Sequence, residues 1–521
     1  MPKGLNAHLK TAVKGSTLIL AGTAVSQLLW FLIKVLIIRN TTKAEFGIYT
    51  LVLTIAGILT TVAPLGIPSG VSRFMAIYRG EGRMDDADGI SRAGVQIITA
   101  AALMSFGFLY FLSGPIARDV FYTPTLAGPL RMVSFLVPFS IYAAIVAGAL
   151  LGYGVIRQRF FNDVLTPVFY ALLMLAALLL HMHLKGILYA YVLSGIIMAV
   201  LITAYGFGKV GPAPLLPGKG RQYLELLKFS IPLLITTIMS MVLMWADTLM
   251  IGRYITPQAV GTYGVSGSLV KLLLFPISAL GFVFLPIASE IYSKSGTEAL
   301  GRAYQVLTKW LFAVTLPIFF VLFFFPQMSI TALFGARFLD AAVPLRLLAL
   351  GFMVNAFLGT NGTLLIVLGL PKAVMNISIA GGVVNIGMNY LFIKRMGMGI
   401  EGAALATTIS YVLINIMLSE KLYRHSGMHP FSSAYLKPLA GAASSGLLIY
   451  AVAKSLPLTF WMLPAYFLVF LTSYAGSLLV TKSIEEEDLF ILERVLNRMG
   501  VRPGPVLAIL EKFVPKTEKA C

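Results

Sequence analysis

The chain has 521 residues, of which 58% are hydrophobic and 12% charged, and its 40 Lys and Arg against 21 Asp and Glu give a formal net charge of +19. Soluble domains carry roughly twice that charged fraction, about 25%. The longest polar stretches are the tail after Thr481 and loops expected near Arg73–Arg92 and Lys209–Lys228, too short for a built-in ATPase or glycosyltransferase domain. The one cysteine, Cys521, excludes an intrachain disulfide.

In chain order, fourteen apolar runs are expected to cross a bilayer: 13–38, 44–68, 89–113, 127–152, 163–182, 186–207, 229–251, 259–290, 303–325, 343–368, 373–393, 402–420, 434–455 and 459–481. About 20 apolar residues suffice to cross the hydrocarbon core. Lipid leaves backbone polar groups no water to bond, so each span is a helix or part of a closed barrel. The runs are continuous rather than alternating, which selects helices. The first run is too long for the ~7–15-residue core of a signal peptide and reads as an uncleaved first helix.

Lys and Arg in the N-terminal segment, the even-numbered loops and the tail outnumber those in the odd-numbered loops more than twofold. Cations gather on the cytoplasmic side, so both termini are expected there. The excess positive charge is thus a topology signal and an attraction to anionic lipid headgroups, not a nucleic-acid footprint. Beyond the last span, SIEE at Ser483–Glu486 reads as a capping box. Leu489, Leu492, Leu496 and Met499 then share one helical face before Gly500 and Pro503. This predicts an amphipathic helix on the membrane or the protein, with partner docking as the alternative.

The first twelve spans hold an internal repeat. Arg39-x7-Gly47-x-Tyr49 recurs as Arg253-x7-Gly261-x-Tyr263, Leu130–Val133 as Leu345–Leu348, and Asn162 as Asn376. Gly186, Ala190 and Ser194 recur as Gly402, Ala406 and Ser410, so an offset of 214 to 216 persists through six spans. Six is even, so both copies enter the membrane from the same side, as in parallel-repeat transporters that rock two halves about a substrate site. The expected layout is an N-lobe of spans 1–6 (1–208), a C-lobe of spans 7–12 (209–425), two further helices (426–481) and a cytoplasmic amphipathic tail (482–521).

Several stretches carry a family likeness: IIRNTTKAEFGIYTLV, APLGIPSGVSRFMAIYRGEGR, FSIPLLITTIMSMVLMWADTLMIGRYITPQAVGTYGV, LLIVLGLPKAVMNISIAGGVVNIGMNYLFI and GIEGAALATTISY. In this order the chain resembles the multidrug/oligosaccharidyl-lipid/polysaccharide exporter superfamily, and within it the polysaccharide-transporter branch of Wzx-type flippases. The likeness covers spans 1–12. It implies an all-α, two-lobed, V-shaped bundle and export of polyprenyl-diphosphate-linked oligosaccharide from the cytoplasmic to the outer leaflet. Two extra helices occur in some members, the related lipid II flippases included, whereas drug exporters usually have twelve.

Charges inside a membrane are costly and default to functional or paired roles. Lys34, a turn from the outer end of span 1, and Lys271, near the middle of span 8, are candidate cations for a sugar diphosphate, whose burial unpaired would be prohibitive. Lys34 could equally snorkel to the interface. Arg39, Arg131, Arg253 and Arg346 lie at outer helix ends, either lining the cavity mouth or anchoring headgroups. Asp247, beside the repeat position of Lys34, is a counter-ion for Lys271 or a site for a coupling H⁺ or Na⁺. Arg73 and Glu290, near inner helix ends, are gate candidates, with capping and headgroup contact as the alternative.

Asn355, Asn361, Asn376, Asn385, Asn389 and Asn415 are available for sugar hydroxyls or for interhelical hydrogen bonds. Prolines 64, 68, 138, 232, 276, 286 and 317 are expected to kink helices. Other motifs fail. GPAPLLPGKGR lacks P-loop spacing, Asp85, Asp86 and Asp88 sit in no sugar-nucleotide fold, and His181 and His183 fall on different helix faces. No metal site or other cofactor is expected. The partners expected are the lipid-linked oligosaccharide, membrane lipids and glycan-assembly enzymes. Two rivals stand beside the flippase reading. A cation-coupled drug exporter should favour acidic cavity residues, and a membrane-embedded glycan polymerase or ligase should carry a large external loop.

Overall fold

The computed structural model describes residues 22–23, 25–155, 157–210, 220–432, 435–455, 463–481, 483, 489, 493, 496 and 504. It is all-helical throughout its long elements. In chain order the α-helices are α1 (25–39), α2 (Lys43–Val62), α3 (Ile67–Gly80), α4 (Met84–Pro115), α5 (Ala127–Ser134), α6 (Leu136–Gly152), α7 (Arg157–Leu179), α8 (His183–Val210) and α9 (Gly220–Tyr254). They continue with α10 (Pro257–Phe324), α11 (Pro326–Phe334), α12 (Ala342–Leu358), α13 (Asn361–Val367), α14 (Pro371–Asn389), α15 (Gly399–Ser426), α16 (Leu436–Ser455) and α17 (Leu463–Val480).

Ten helical stretches among the described residues are long and apolar enough to cross a membrane. They correspond in order to the second to sixth and eighth to twelfth expected spans. The first expected span contains α1, the seventh lies within α9, and the last two coincide with α16 and α17, which hold shorter apolar segments. Leu103, Met104, Phe111, Leu172, Leu447 and Leu468 are exposed on these helices. So much exposed apolar surface suits lipid rather than water.

Two expected loops turn out largely helical. α3 runs on to Gly80 and α4 begins at Met84, so most of the stretch near Arg73–Arg92 is helix. Residues 220–228 likewise form the first turns of α9. Arg, Glu and Gln are good helix formers, and a fall in hydropathy marks a change of solvent, not of backbone. The helix breaks instead at Leu65–Gly66, where both residues have positive φ (54° and 72°) between Pro64 and Pro68. Helix continues through Pro232, Pro276, Pro286 and Pro317, whereas Gly296 (φ 76°, ψ −169°) divides α10. Most of the tail helix expected from Ser483 lies outside the described residues.

The chain divides into two compact units. The first comprises Leu18–Gly264 with Asn389–Ile400; the second comprises Val265–Met388 with the chain from Glu401 onward. In the first, α2 starts on a capping box in which Thr42 and Glu45 satisfy each other's backbone N–H groups. The starts of α2 and α10 cross at the repeated glycines. A Cβ on Gly47 would lie 1.7 Å from the Pro257 carbonyl oxygen, and one on Gly261 2.1 Å from that of Lys43. Lys43 and Pro257 are themselves related by the offset of 214. The crossing is therefore symmetric: each copy's glycine receives the backbone of the other copy's first helical turn.

In the second unit, α16 and α17 pack on the second half of α10. Ala442, Tyr435 and Tyr474 cluster with Phe312, Leu316, Met353 and Ala356. The Tyr474 hydroxyl donates to the Ala313 carbonyl at 3.0 Å, and Gly446 leaves space for the Phe320 ring.

Candidate functional site

The deepest charged feature of the first unit is a buried carboxylate. Asp247 on α9 is 6% exposed. Its Oδ2 accepts from the Tyr263 hydroxyl at 2.5 Å, and its Oδ1 accepts from the Asn389 Nδ2 at 2.7 Å. Tyr263 stands two residues after Gly261 on α10, and Asn389 is the last residue of α14. Three spans thus meet on one anion. Donors to a carboxylate make hydrogen bonds roughly twice as strong as neutral pairs. Tyr49, the repeat partner of Tyr263, instead meets the Tyr170 hydroxyl at 3.1 Å. The two copies therefore use one tyrosine position differently, and only the second carries a charge.

The candidate cations divide between the units. Lys34 is half-buried on α1, and Arg39 is exposed at its end. The Arg253 guanidinium lies 4.2 Å from the centre of the Tyr122 ring and donates to that hydroxyl at 2.9 Å. Arg131 donates from Nε to Ser113 Oγ at 2.9 Å, tying α5 to the end of α4. In the second unit its repeat partner Arg346 donates from Nε to the Phe323 carbonyl at 3.0 Å, tying α12 to the end of α10. The repeated arginines do the same structural job in each copy. Lys271 is different. It is exposed on α10 and forms no ion pair or hydrogen bond among the described residues. At 1.5 Å per residue it stands roughly 20 Å along the helix from Pro257.

The gate candidates also separate. Glu290 pairs with Lys294 one turn on, at 2.9 Å. Arg73 lies in a cluster that the sequence reading left unassembled. Its guanidinium stands 4.5 Å from the Phe229 ring centre. One turn away the Tyr78 hydroxyl donates to Glu225, with 2.7 and 2.8 Å to its two carboxylate oxygens. Tyr223 bonds Gln96. Gly66 and Gly70 face Ser230, and Gly89 faces Gln222. The ends of α3 and α4 are thus closed on the first turns of α9. The two hydrogen-bonded pairs lie 127 and 147 residues apart, beyond any local pattern.

Three of the six amides, Asn361, Asn385 and Asn389, bond between helices, and Asn415 bonds Tyr411 within α15. Asn361 donates to the Asn415 carbonyl at 3.2 Å and to Ser419 at 3.0 Å, and Asn385 donates to Thr407 at 3.2 Å. Asn376 is exposed. A cavity of about 350 Å³ opens in the first unit among α1, α6, α7 and α8, with Trp30, Ser140, Asn162, Thr166, Tyr191 and Ser194 on its walls. Only Asn162 and Ser194 had drawn notice in the sequence, as repeat markers. Among the described residues no group of three His, Cys, Asp or Glu could hold a metal ion.

Residues 36–343 match the family of polysaccharide biosynthesis proteins. The chain belongs to that family. An uncharacterized membrane protein of Methanocaldococcus jannaschii is 23% identical over 80% of this chain and 86% of its own length. The lipid II flippase MurJ of Bacillus subtilis is 22% identical over 80% and 83%. A probable low-salt glycan biosynthesis flippase, Agl15 of Haloferax volcanii, is 22% identical over 42% and 46%. Among solved structures, lipid II flippase MurJ in an inward closed conformation superposes with a TM-score of 0.70 at 15% identity, over 89% of this chain and 98% of that one. An inward-facing multidrug resistance MATE transporter of the MOP superfamily gives 0.68 at 15% identity, over 77% and 94%. The fold is that of the superfamily the sequence motifs resemble.

Proposed function

We propose that the chain is a flippase that moves polyprenyl-diphosphate-linked oligosaccharide from the cytoplasmic to the outer leaflet of the cell membrane, for surface polysaccharide or glycan assembly. Family membership and the flippase relatives support this class. The observation that carries the anionic substrate is Lys271, an exposed cation without an ion pair among the described residues, far along an apolar helix. A charge held there calls for a counter-charge from elsewhere, and a diphosphate supplies one. Lys34 and the arginines 39, 131, 253 and 346 extend the positive lining.

The chain carries fourteen spans with both termini in the cytoplasm. Two six-helix lobes, residues 1–208 and 209–425, alternate access; their bounds follow the duplication. Residues 426–481 form the two additional helices and 482–521 the cytoplasmic tail. Asp247, held by Tyr263 and Asn389, is the seat of a coupling H⁺ or Na⁺; the expected pairing with Lys271 does not form, since that lysine makes no ion pair among the described residues. Arg73 belongs to a closure at the cytoplasmic ends of α3 and α4, and Glu290 to that of α10. Glycan-assembly enzymes supply and consume the substrate.

The test is reconstitution in liposomes with a fluorescent lipid-linked oligosaccharide. Movement of the probe to the opposite leaflet is expected, with a lower rate in Lys271→Ala. No movement of any polyprenyl-diphosphate sugar overturns the proposal, and an unchanged rate in Lys271→Ala removes that residue from the site. The buried Asp247 also suits a cation-coupled drug exporter. That reading requires ion-driven drug efflux, to be measured in the same vesicles.

A further inference from the structure

The cavity among α1, α6, α7 and α8 has a mostly apolar wall interrupted by Trp30, Ser140, Asn162, Thr166, Tyr191 and Ser194, and among the described residues no Asp, Glu, Lys, Arg or His lines it. It therefore does not suit a diphosphate, whose charge would lie unpaired. Its polar side chains set it apart from the dry cavities that form among apolar groups alone. Trp30, Tyr191, Ser140 and Asn162 stand on its wall, and none of their side chains donates a hydrogen bond among the described residues. Buried indole and phenol groups ordinarily find a partner. Within a membrane-embedded bundle lipid offers none.

The aromatic wall is held in place. Tyr170 packs against Trp30 with ring centres 5.7 Å apart and against Tyr191 at 5.5 Å, edge to face. Thr166 fixes the Asn162 region by donating to its carbonyl at 2.7 Å. The remaining wall is mostly alanine, glycine and aliphatic side chains. A volume of about 350 Å³ lies at the low end of the roughly 300–1,000 Å³ of small-molecule sites. That suits one ring, not a whole oligosaccharide. The ligand that matches an aromatic face, several neutral hydrogen-bonding groups and no charge is a neutral pyranose. Its C–H face stacks on an indole while its hydroxyls exchange hydrogen bonds with amide and hydroxyl groups.

We infer that this cavity is a neutral-sugar subsite, in which one uncharged sugar of the glycan stacks on Trp30 and Tyr191 and bonds Asn162 and Ser140. The inference rests on the flippase reading and adds to it where the glycan, as opposed to the diphosphate, is recognised.

The experiment compares two fluorescent probes in proteoliposomes: a polyprenyl diphosphate bearing one N-acetylglucosamine, and the same carrier lipid without sugar. Trp30→Ala and Asn162→Ala should slow the sugar-bearing probe by about tenfold or more and leave the sugar-free probe at its wild-type rate. Trp30→Phe, which keeps an aromatic face, should restore most of the rate. Equal slowing of both probes, or slowing of neither, overturns the subsite. If the wild type moves neither probe, these two lipids are not its substrates, and the flippase reading is tested with longer glycans. The subsite is then decided by titrating purified protein with N-acetylglucosamine and following tryptophan fluorescence. Saturable quenching that disappears in Trp30→Phe supports it, and no quenching up to the solubility limit overturns it.

Discussion

Replacing Gly47 with alanine should be among the costliest single-methyl changes in this chain. The added Cβ would lie 1.7 Å from the Pro257 carbonyl oxygen and 2.6 Å from its carbon. An ordinary carbon–oxygen contact is about 3.3 Å, so α2 and α10 would have to part by roughly 1.5 Å. The obstacle is backbone, which has no rotamer to change. Overpacking of this kind costs about 1–3 kcal/mol, and the upper end is expected. Gly261→Ala, with 2.1 Å to the Lys43 carbonyl oxygen, should behave alike. Gly267→Ala on the same helix meets nothing within 4 Å and serves as the control; helix propensity favours it by about 1 kcal/mol.

The assay is the inactivation half-life of detergent-solubilised protein at fixed temperature, because membrane proteins of this size rarely unfold reversibly. A second readout covers relief by helix separation. In a Cys521→Ser background, a thiol introduced by Thr50→Cys would lie under Gly264, whose added Cβ would stand 3.5 Å from Thr50 Oγ1. Faster labelling of that thiol in Gly47→Ala reports parted helices. Wild-type half-life together with wild-type labelling would refute the close crossing.

Three further outcomes are expected. Asp247→Ala removes the acceptor of the Tyr263 and Asn389 bonds and should cost about 2–4 kcal/mol of stability; Asp247→Asn should cost less, yet abolish any dependence of flipping on an ion gradient, measured with and without the gradient. Tyr78→Phe should cost about 1.5–3 kcal/mol through the lost bond to Glu225, and a double-mutant cycle with Glu225→Gln should show that the two losses do not add. Arg131→Gln and Arg346→Gln should shorten the inactivation half-life to similar extents, because the two arginines tie equivalent helix ends; an effect on transport alone, with stability unchanged, would contradict that role.

Hydropathy made the membrane class and ten of the fourteen expected spans readable, since a helix in lipid must satisfy its own backbone and be apolar along its length. Both requirements are local. The repeat was readable as well, and its meaning became concrete at Gly47 and Gly261, where the duplicated glycines meet. Helix ends were less legible: α3 reaches Gly80 and α9 begins at Gly220 because polar side chains change the solvent around a helix without ending it.

The site residues show the same division. The rarity of charge in apolar runs singled out Asp247 and Lys271 from the sequence. Which groups satisfy Asp247 could not be read there, because Tyr263 lies 16 residues away and Asn389 lies 142. Trp30, Ser140 and Tyr191 look like ordinary members of apolar spans. Only the packing of α1, α6, α7 and α8 brings them around one space. Composition along the chain determined the solvent in which this protein folds. Tertiary structure decided which buried polar groups find partners, because hydrogen bonding depends on distances of about 3 Å between residues that the chain keeps far apart.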